Sequence, residues 1–190
     1  MYVKFYYDNV EKEIFEPFAM RAYYEGDIIP KIIPKNKKGM HKWIIDNRVP
    51  LSESENLKKA NEYFIRVLKT TGIRQIVAQG AAAMPLIGGI LSSSPFNVNA
   101  GIIRKESKGY GKNKRIEGTV EPNKPVLLID DLINGGTSAM DSLEALRESG
   151  FSNVSFSTLM CYDWGKGKDR LGILQGQLPY YYGIKVKKLR

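Results

Sequence analysis

The chain has 190 residues, of which 43% are hydrophobic and 26% charged, a composition typical of a globular protein with one domain, here residues 1–190. Its formal net charge of +9 favours anionic partners such as nucleic acid, a membrane surface or a polyphosphate substrate. Its one cysteine and one histidine, Cys161 and His41, exclude an internal disulfide and a zinc site built from these residue types. No G-x-S-x-G turn presents a serine, so a Ser-His-Asp hydrolase is not expected. No apolar run approaches the roughly 20 residues of a membrane span, and the first residues are too polar for a signal peptide, so we expect a cytoplasmic protein.

Predicted strands and helices alternate along most of the chain. The predicted strands are residues 2–7, 43–49, 73–79, 98–104, 126–129, 153–162 and 180–186. Four helices are predicted. The first follows a capping box of Ser52 and Glu55 and ends at Gly72, and a short second helix follows Gly80. The other two cover residues 140–149 and 168–176. Residues 14–34 are predicted to be irregular, and 105–118 to form a mobile polar loop. The alternation predicts an α/β fold with a mostly parallel sheet.

An acidic pair lies where the strand 126–129 meets a small-residue loop. Asp130 and Asp131 follow the strand, and the loop consists of Asn134, Gly135, Gly136, Thr137 and Ser138. Ligands of open α/β sheets bind at the carboxyl ends of the strands, and glycines before a helix let backbone N–H groups approach a phosphate. Carboxylates repel phosphate but suit ribose hydroxyls, Mg²⁺ or a developing positive charge. The pattern predicts a sugar-phosphate site, with an ordinary strand-to-helix turn as the alternative.

The stretch VLLIDDLINGGTSA resembles the phosphoribosyl-pyrophosphate (PRPP) signature of type I phosphoribosyltransferases, which is an apolar strand, two acids, two apolar residues and a Thr/Gly-rich loop. Asn134 stands where threonine is common in that family, and both side chains can donate to a phosphate.

Three further segments are similar to orotate phosphoribosyltransferases, so that the resemblance covers about residues 36 to 175. The stretch 102–118 resembles their mobile catalytic loop through Arg104, Lys105, Glu106, Lys108, Tyr110 and Gly111. The stretch WIIDNRVPLSESENLKKANEYF is similar to their early strand and helix, with the pattern Ile-Asp-x-Arg. The pyrophosphate loop falls on Gly80, Ala81, Ala82 and Ala83.

The resemblance implies the type I phosphoribosyltransferase fold, a central mostly parallel sheet flanked by helices, with a small hood. Residues 1–45 would form either part of the hood or the base-binding region. It implies transfer of ribose 5-phosphate from PRPP to a nucleobase, with orotate the leading base and orotidine 5′-phosphate the product. Pyrophosphate is released, and Mg²⁺ is held mainly by substrate oxygens rather than by a protein metal site. The family's loop closes over the leaving group and reaches the neighbouring subunit, which implies a homodimer that shares 104–115.

The resemblance also assigns roles to individual residues. Asp130 and Asp131 orient the ribose and favour a cationic ring, and Lys108 is the loop lysine most tied to catalysis. The expected PRPP-binding residues are Arg104, Lys105, Lys108, Tyr110, Asp130, Asp131, Asn134, Gly135, Gly136, Thr137 and Ser138.

The base side departs from the family pattern. The family places an Asp-Arg pair after the strand that follows the PRPP helix, and here Asp163 is followed by Trp164. Trp164 cannot pair with a carboxylate; it either stacks on a base or packs in the core. Lys37 is a candidate for the cation that an orotate site needs, and Lys166 and Lys168 are others. A nucleobase other than orotate is therefore an alternative.

A second class of function is a PRPP-sensing regulator on the same fold, which would use the +9 charge to hold nucleic acid. Such a regulator has no need of the lysine-rich loop 104–115, and no DNA-binding module of recognisable type is found at the amino terminus. The sequence favours the enzyme, with no nucleic-acid or membrane partner.

Overall fold

The computed structural model describes residues 1–26, 43–104, 115–163 and 178–189. The strands are β1 (Val3–Tyr6), β2 (Tyr23–Glu25), β3 (Trp43–Ile45), β4 (Gln75–Gln79), β5 (Asn99–Ile103), β6 (Ile116–Gly118), β7 (Val126–Ile133), β8 (Val154–Tyr162) and β9 (Tyr180–Lys188). The helices are α1 (Lys12–Ala22), α2 (Arg48–Leu51), α3 (Ser54–Thr71), α4 (Met84–Ser93) and α5 (Thr137–Glu148), and a 3₁₀ turn covers Ala81–Ala83.

Seven strands form one sheet in the order β1-β9-β8-β7-β4-β5-β6. The four pairings inside it, β9 with β8, β8 with β7, β7 with β4 and β4 with β5, are parallel. The two edge strands β1 and β6 pair antiparallel with β9 and β5. Strands β2 and β3 form a separate two-stranded antiparallel sheet. These pairings confirm the predicted mixed α/β fold with a mostly parallel central sheet. The apolar run Val126–Ile129 in β7 is buried, as is usual for a central parallel strand.

Apolar side chains cover both faces of the sheet. One face packs against α1, α3 and α4 through residues such as Phe18, Phe64 and Leu86, all of them fully buried. The other face packs against α5, whose Leu143 and Leu146 are buried beside the sheet. Helices on both faces leave the carboxyl ends of the parallel strands open to ligands.

The prediction that residues 14–34 are irregular is wrong for the described part of that range. Residues Lys12–Ala22 form α1, with Pro17 inside the helix. Its apolar residues Phe15, Phe18, Ala19 and Ala22 recur at helical spacing and are buried. Burial of this face outweighs the backbone hydrogen bond that the proline removes.

The predicted strand 43–49 ends early, at Ile45, and Arg48–Leu51 form a helical turn instead. The predicted capping box is also wrong, because the Ser52 hydroxyl donates to the carbonyl of Val49 at 2.7 Å. Ser52 directly follows that turn and still has helical dihedral angles, and α3 begins at Ser54 without a side-chain cap. The predicted end of α3 at Gly72 is confirmed, with φ at 74°.

The boundaries around the acidic pair also differ from the prediction. Strand β7 continues through Asp130 and Asp131 to Ile133, because Leu132 and Ile133 pair with β8. Helix α5 begins at Thr137, three residues before the predicted start, since Gly136 turns the chain at φ 70°.

A polar loop is predicted over residues 105–118. Its last three residues, Ile116–Gly118, form the short edge strand β6 instead. The rest of that loop and the predicted helix over 168–176 lie outside the described residues.

Candidate functional site

A cleft of about 410 Å³ lies at the carboxyl ends of β4 and β7. It is lined by residues 130–139, by residues 79–82 and by Arg48. The structure therefore brings together ten of the residues singled out from the sequence. These are Gly80, Ala81, Ala82, Asp130, Asp131, Asn134, Gly135, Gly136, Thr137 and Ser138.

The loop after β7 delivers the amino end of a twelve-residue helix to the cleft. Gly136 adopts a left-handed conformation and is the N-cap residue of α5. Because a glycine has no side chain, the cap residue itself occupies none of the first-turn N–H groups. Thr137 and Ser138 add hydroxyls in the first turn. Backbone N–H groups, the positive end of the helix dipole and hydroxyls together suit a phosphate.

The two carboxylates are partly buried beside this loop. The backbone N–H of Asp131 donates to Oδ1 of Asp130 at 2.9 Å. Burial, and then the neighbouring Asp131 carboxylate, raises the pKa of Asp130 well above its usual range. Burial also raises the pKa of Asp131. A ligand with cationic or hydroxyl character would relieve this loss of solvation, and a phosphate would not.

Three consecutive residues after β3 support the acidic pair from the second sheet. Asn47 is buried, and its amide donates to the backbone carbonyl of Asp131 at 2.9 Å. Arg48 is held by a two-pronged ion pair in which Nε and Nη2 lie 2.7 and 2.6 Å from the carboxylate oxygens of Asp46. The guanidinium of Arg48 lowers the pKa of Asp131, whereas the Asp46 carboxylate raises it.

Arg48 is a candidate site residue that the prediction from sequence did not include. It is the one cation among the described residues that line the cleft. The Ile-Asp-x-Arg pattern was the signal that could have identified it.

The turn after β4 reaches the cleft through its backbone. Gly80 has φ 89° and ψ 161°, a conformation that only glycine adopts without strain. Ala81 and Ala82 line the cleft, whereas Ala83 is fully buried under it. Because these side chains carry no charge, the turn can offer a ligand backbone groups only.

Arg104 lies at the end of β5 and does not line the cleft. Its guanidinium pairs with the Glu117 carboxylate on β6 at 2.5 Å. The other predicted loop residues, Lys105, Lys108 and Tyr110, lie outside the described residues, as do the base-side candidates Lys37 and Trp164. Their roles stay predictions.

An aromatic group lies at the carboxyl end of β8, next to the end of β7. Trp43 stacks on Tyr23 with ring centres 6.3 Å apart and packs on Tyr162 at 6.0 Å. This group joins the small sheet β2–β3 to the central sheet.

Other kinds of site find no support in the described ranges. They contain no helix long and apolar enough to cross a membrane. They also contain no cluster of three or more His, Cys, Asp or Glu residues that could hold a metal ion. Burial raises the pKa of the Cys161 thiol to about 12, which argues against a reactive cysteine.

Sequence comparison gives relatives for most of the chain. No protein-family model matches it. An orotate phosphoribosyltransferase of Oceanobacillus iheyensis is 30% identical over 135 residues, which are 71% of this chain and 66% of that protein. An orotate phosphoribosyltransferase of Bacillus cytotoxicus is 27% identical over 66% of this chain and 60% of its own length. The chain thus matches slightly less than two thirds of the length of these curated relatives.

Structure comparison gives the same fold. A phosphoribosyltransferase from Corynebacterium diphtheriae superposes with a TM-score of 0.70 at 23% identity, over 90% of this chain and 92% of the other. The orotate phosphoribosyltransferase of Mycobacterium tuberculosis gives 0.72 at 18% identity, over 90% and 93% of the two chains. An adenine phosphoribosyltransferase from Leishmania tarentolae gives 0.64 at 16% identity, over 91% and 88%. These superpositions show that the chain has the type I phosphoribosyltransferase fold, and the cleft at the carboxyl ends of its strands holds the acidic pair, the glycine-rich loop and the Gly80 turn.

Proposed function

We propose that the protein transfers ribose 5-phosphate from PRPP to a nucleobase, with orotate as the leading base, and releases pyrophosphate. The observation that carries the proposal is the cleft itself, where a carboxylate pair lies between a phosphate-type loop and a backbone-lined turn. The names of the curated relatives support orotate. The direct test is pyrophosphate release from PRPP and Mg²⁺ that depends on orotate.

The proposed chemistry breaks the C1–O bond of PRPP and forms a bond from C1 to a ring nitrogen of the base. Positive charge grows on the ribose and negative charge on the leaving pyrophosphate. Asp130 and Asp131 hold the ribose hydroxyls and stabilise the cationic ring, since they contribute negative charge where positive charge develops. Residues 134–138 hold the 5′-phosphate as a fixed anchor, and the turn at Gly80 offers backbone N–H groups to the pyrophosphate.

The donor set of the cleft fits Mg²⁺ that is held chiefly by substrate. Asp130 and Asp131 are hard oxygen donors with raised pKa values, and two adjacent carboxylates are too few for a cage made by protein alone. When bound, Mg²⁺ neutralises charge on the pyrophosphate oxygens. The residues that would contact it are these two aspartates.

A nucleobase other than orotate is the second candidate, because Trp164 replaces the expected arginine. The aromatic group around Trp43 offers a flat apolar surface near the end of β8. The adenine phosphoribosyltransferase among the structural neighbours shows that this fold also serves purines. We also propose a cytoplasmic homodimer in which 104–115 is shared between subunits; this follows from the resemblance to orotate phosphoribosyltransferases.

Replacing Lys108 with alanine is expected to lower kcat by about 10²-fold or more and to change PRPP affinity little. The proposed reason is that this lysine meets charge on the leaving group, which is largest in the transition state. Steady-state kinetics combined with calorimetric PRPP binding would measure both quantities. A kcat equal to that of the wild type would refute the role.

Replacing Arg48 with glutamine is expected to move the acid limb of the kcat/KM profile for PRPP to higher pH. Arg48 lowers the pKa of Asp131, so its loss lets that pKa rise further, and the ionised form that the reaction needs is lost at a higher pH. A pH–rate profile checks the shift.

Arg21 provides the matched control for this variant, because its Nε pairs with Glu53 at 2.7 Å on an exposed surface away from the cleft. Arg21→Gln should leave the acid limb in place. An acid limb that stays at the wild-type pH in Arg48→Gln would show that Asp131 is not the group that titrates.

A further inference from the structure

A hydrogen-bonded network beside the cleft has no role in the chemistry proposed so far. Its centre is Asp141 on α5. Oδ2 of Asp141 accepts from Nε2 of Gln79 at 2.7 Å, and both of its oxygens lie 2.9 Å from Nη2 of Arg115. The Ser142 hydroxyl donates to Oε1 of Gln79 at 2.9 Å. Both polar ends of the Gln79 side chain are thus held by α5.

The arginine in this network also fixes the end of β5. The Arg115 side chain is only 16% exposed, so its charge depends on its partners. The backbone N–H of Arg104 donates to the carbonyl of Arg115 at 2.8 Å, and the Arg115 guanidinium lies 3.4 Å from the carbonyl oxygen of Arg104. Arg104 is therefore tied through Arg115 to the same carboxylate that holds Gln79.

The two segments joined in this way are the ones assigned to the leaving group. Gln79 directly precedes the turn at Gly80. Arg104 is the first of the residues that match the catalytic loop. Asp141 itself does not line the cleft. It can therefore act on a ligand only through the residues that it holds.

We propose that Asp141 is a positioning residue for the pyrophosphate half of the site. By accepting from Gln79 and Arg115 together, it fixes the Gly80 turn relative to the backbone of Arg104, and so holds the turn in place for a pyrophosphate. The ribose phosphate half, made by residues 130–138, does not use this link. The inference rests on the proposed function for the identity of the ligand.

The first test compares the binding of two fragments of PRPP to the Asp141→Asn variant by calorimetry. Pyrophosphate with Mg²⁺ should bind about tenfold more weakly than to wild type, as is usual when a supporting contact is lost. Ribose 5-phosphate should bind as it does to wild type. Equal weakening of both fragments would show that α5 had merely loosened, and unchanged pyrophosphate binding would show that the link is irrelevant; either result overturns the proposal.

A second variant tests whether Asp141 acts through the arginine. Arg115→Gln should weaken pyrophosphate binding by a similar factor, and the double variant should lose no more than the worse single variant. Losses that multiply would mean that the two residues act separately, which contradicts the proposal. Glu148→Gln is the matched control, because this carboxylate lies 3.8 Å from Nη1 of Arg115 on the same helix and should not matter.

These binding measurements need no nucleobase, so their results distinguish a failure of the role of Asp141 from a failure of the proposed transferase function. A wild-type protein that binds both fragments but releases no pyrophosphate with any base would defeat the proposed function and leave the role of Asp141 intact. A wild-type protein that binds ribose 5-phosphate but no pyrophosphate would overturn the role of Asp141.

Discussion

Replacing Asp130 with asparagine is expected to lower kcat by roughly 10²–10³-fold while it makes the unliganded protein more stable at pH 8. Burial and the Asp131 carboxylate raise the pKa of Asp130, so the folded protein favours the neutral form more than the unfolded chain does. The stability from this preference is complete below the unfolded pKa and is lost as the pH rises through the raised folded pKa. At pH 8 ionisation of this carboxyl therefore favours the unfolded chain, a penalty that asparagine lacks. Thermal melts should show a melting temperature raised by roughly 3–6 °C.

The pH dependence separates this effect from a general change in packing. The stability advantage of Asp130→Asn should shrink as the pH falls towards 4, where the aspartate is also neutral. Glu144→Gln is the control, because this exposed carboxylate on α5 should affect neither stability nor turnover. An Asp130→Asn protein with wild-type turnover would remove the carboxylate from the mechanism.

Replacing Gly80 with alanine is expected to destabilise the protein by about 1–3 kcal/mol and to abolish measurable pyrophosphate binding. No atom lies within 4 Å of the Cβ that alanine would add, so the effect comes from the backbone at φ 89° rather than from a clash. Relief of the strain would turn the peptide groups of this turn away from the cleft. Denaturant unfolding measures the stability, and calorimetry with pyrophosphate and Mg²⁺ measures the binding.

Gly88 provides a matched control in the next helix. It also has open space around the missing Cβ, but it lies inside α4. Alanine there should stabilise the protein by about 0.5–1 kcal/mol, because glycine is a poor helix former. A Gly80→Ala variant that is as stable as the wild type and binds pyrophosphate would contradict the role given to this turn.

The phosphate side of the candidate site could be predicted because it is local in sequence. An apolar strand, an acidic pair, two glycines and a helix occupy consecutive positions, and parallel strands then bring Gly80 to the same edge of the sheet. The alternation of apolar strands with amphipathic helices likewise predicted the central sheet, since each pattern shows which face is buried.

The parts that could not be predicted depend on contacts between distant residues. Gln79 and Asp141 are 62 positions apart, and neither lies in a recognisable motif. Helix α1 was missed because Pro17 disfavours a helix locally, whereas the buried face that stabilises it is formed only in the folded protein. The capping box failed for a similar reason, since Ser52 ends the preceding helical turn.

The measurement that tests the central claim most directly is pyrophosphate release from PRPP and Mg²⁺, first with orotate and then with a panel of other nucleobases. The proposed function predicts release that requires orotate and is lost in Asp130→Asn. Release with another base alone would keep the transfer chemistry and contradict the choice of orotate. No release with any base, together with salt-sensitive binding to a nucleic-acid probe, would contradict the enzyme and favour a PRPP-binding regulator.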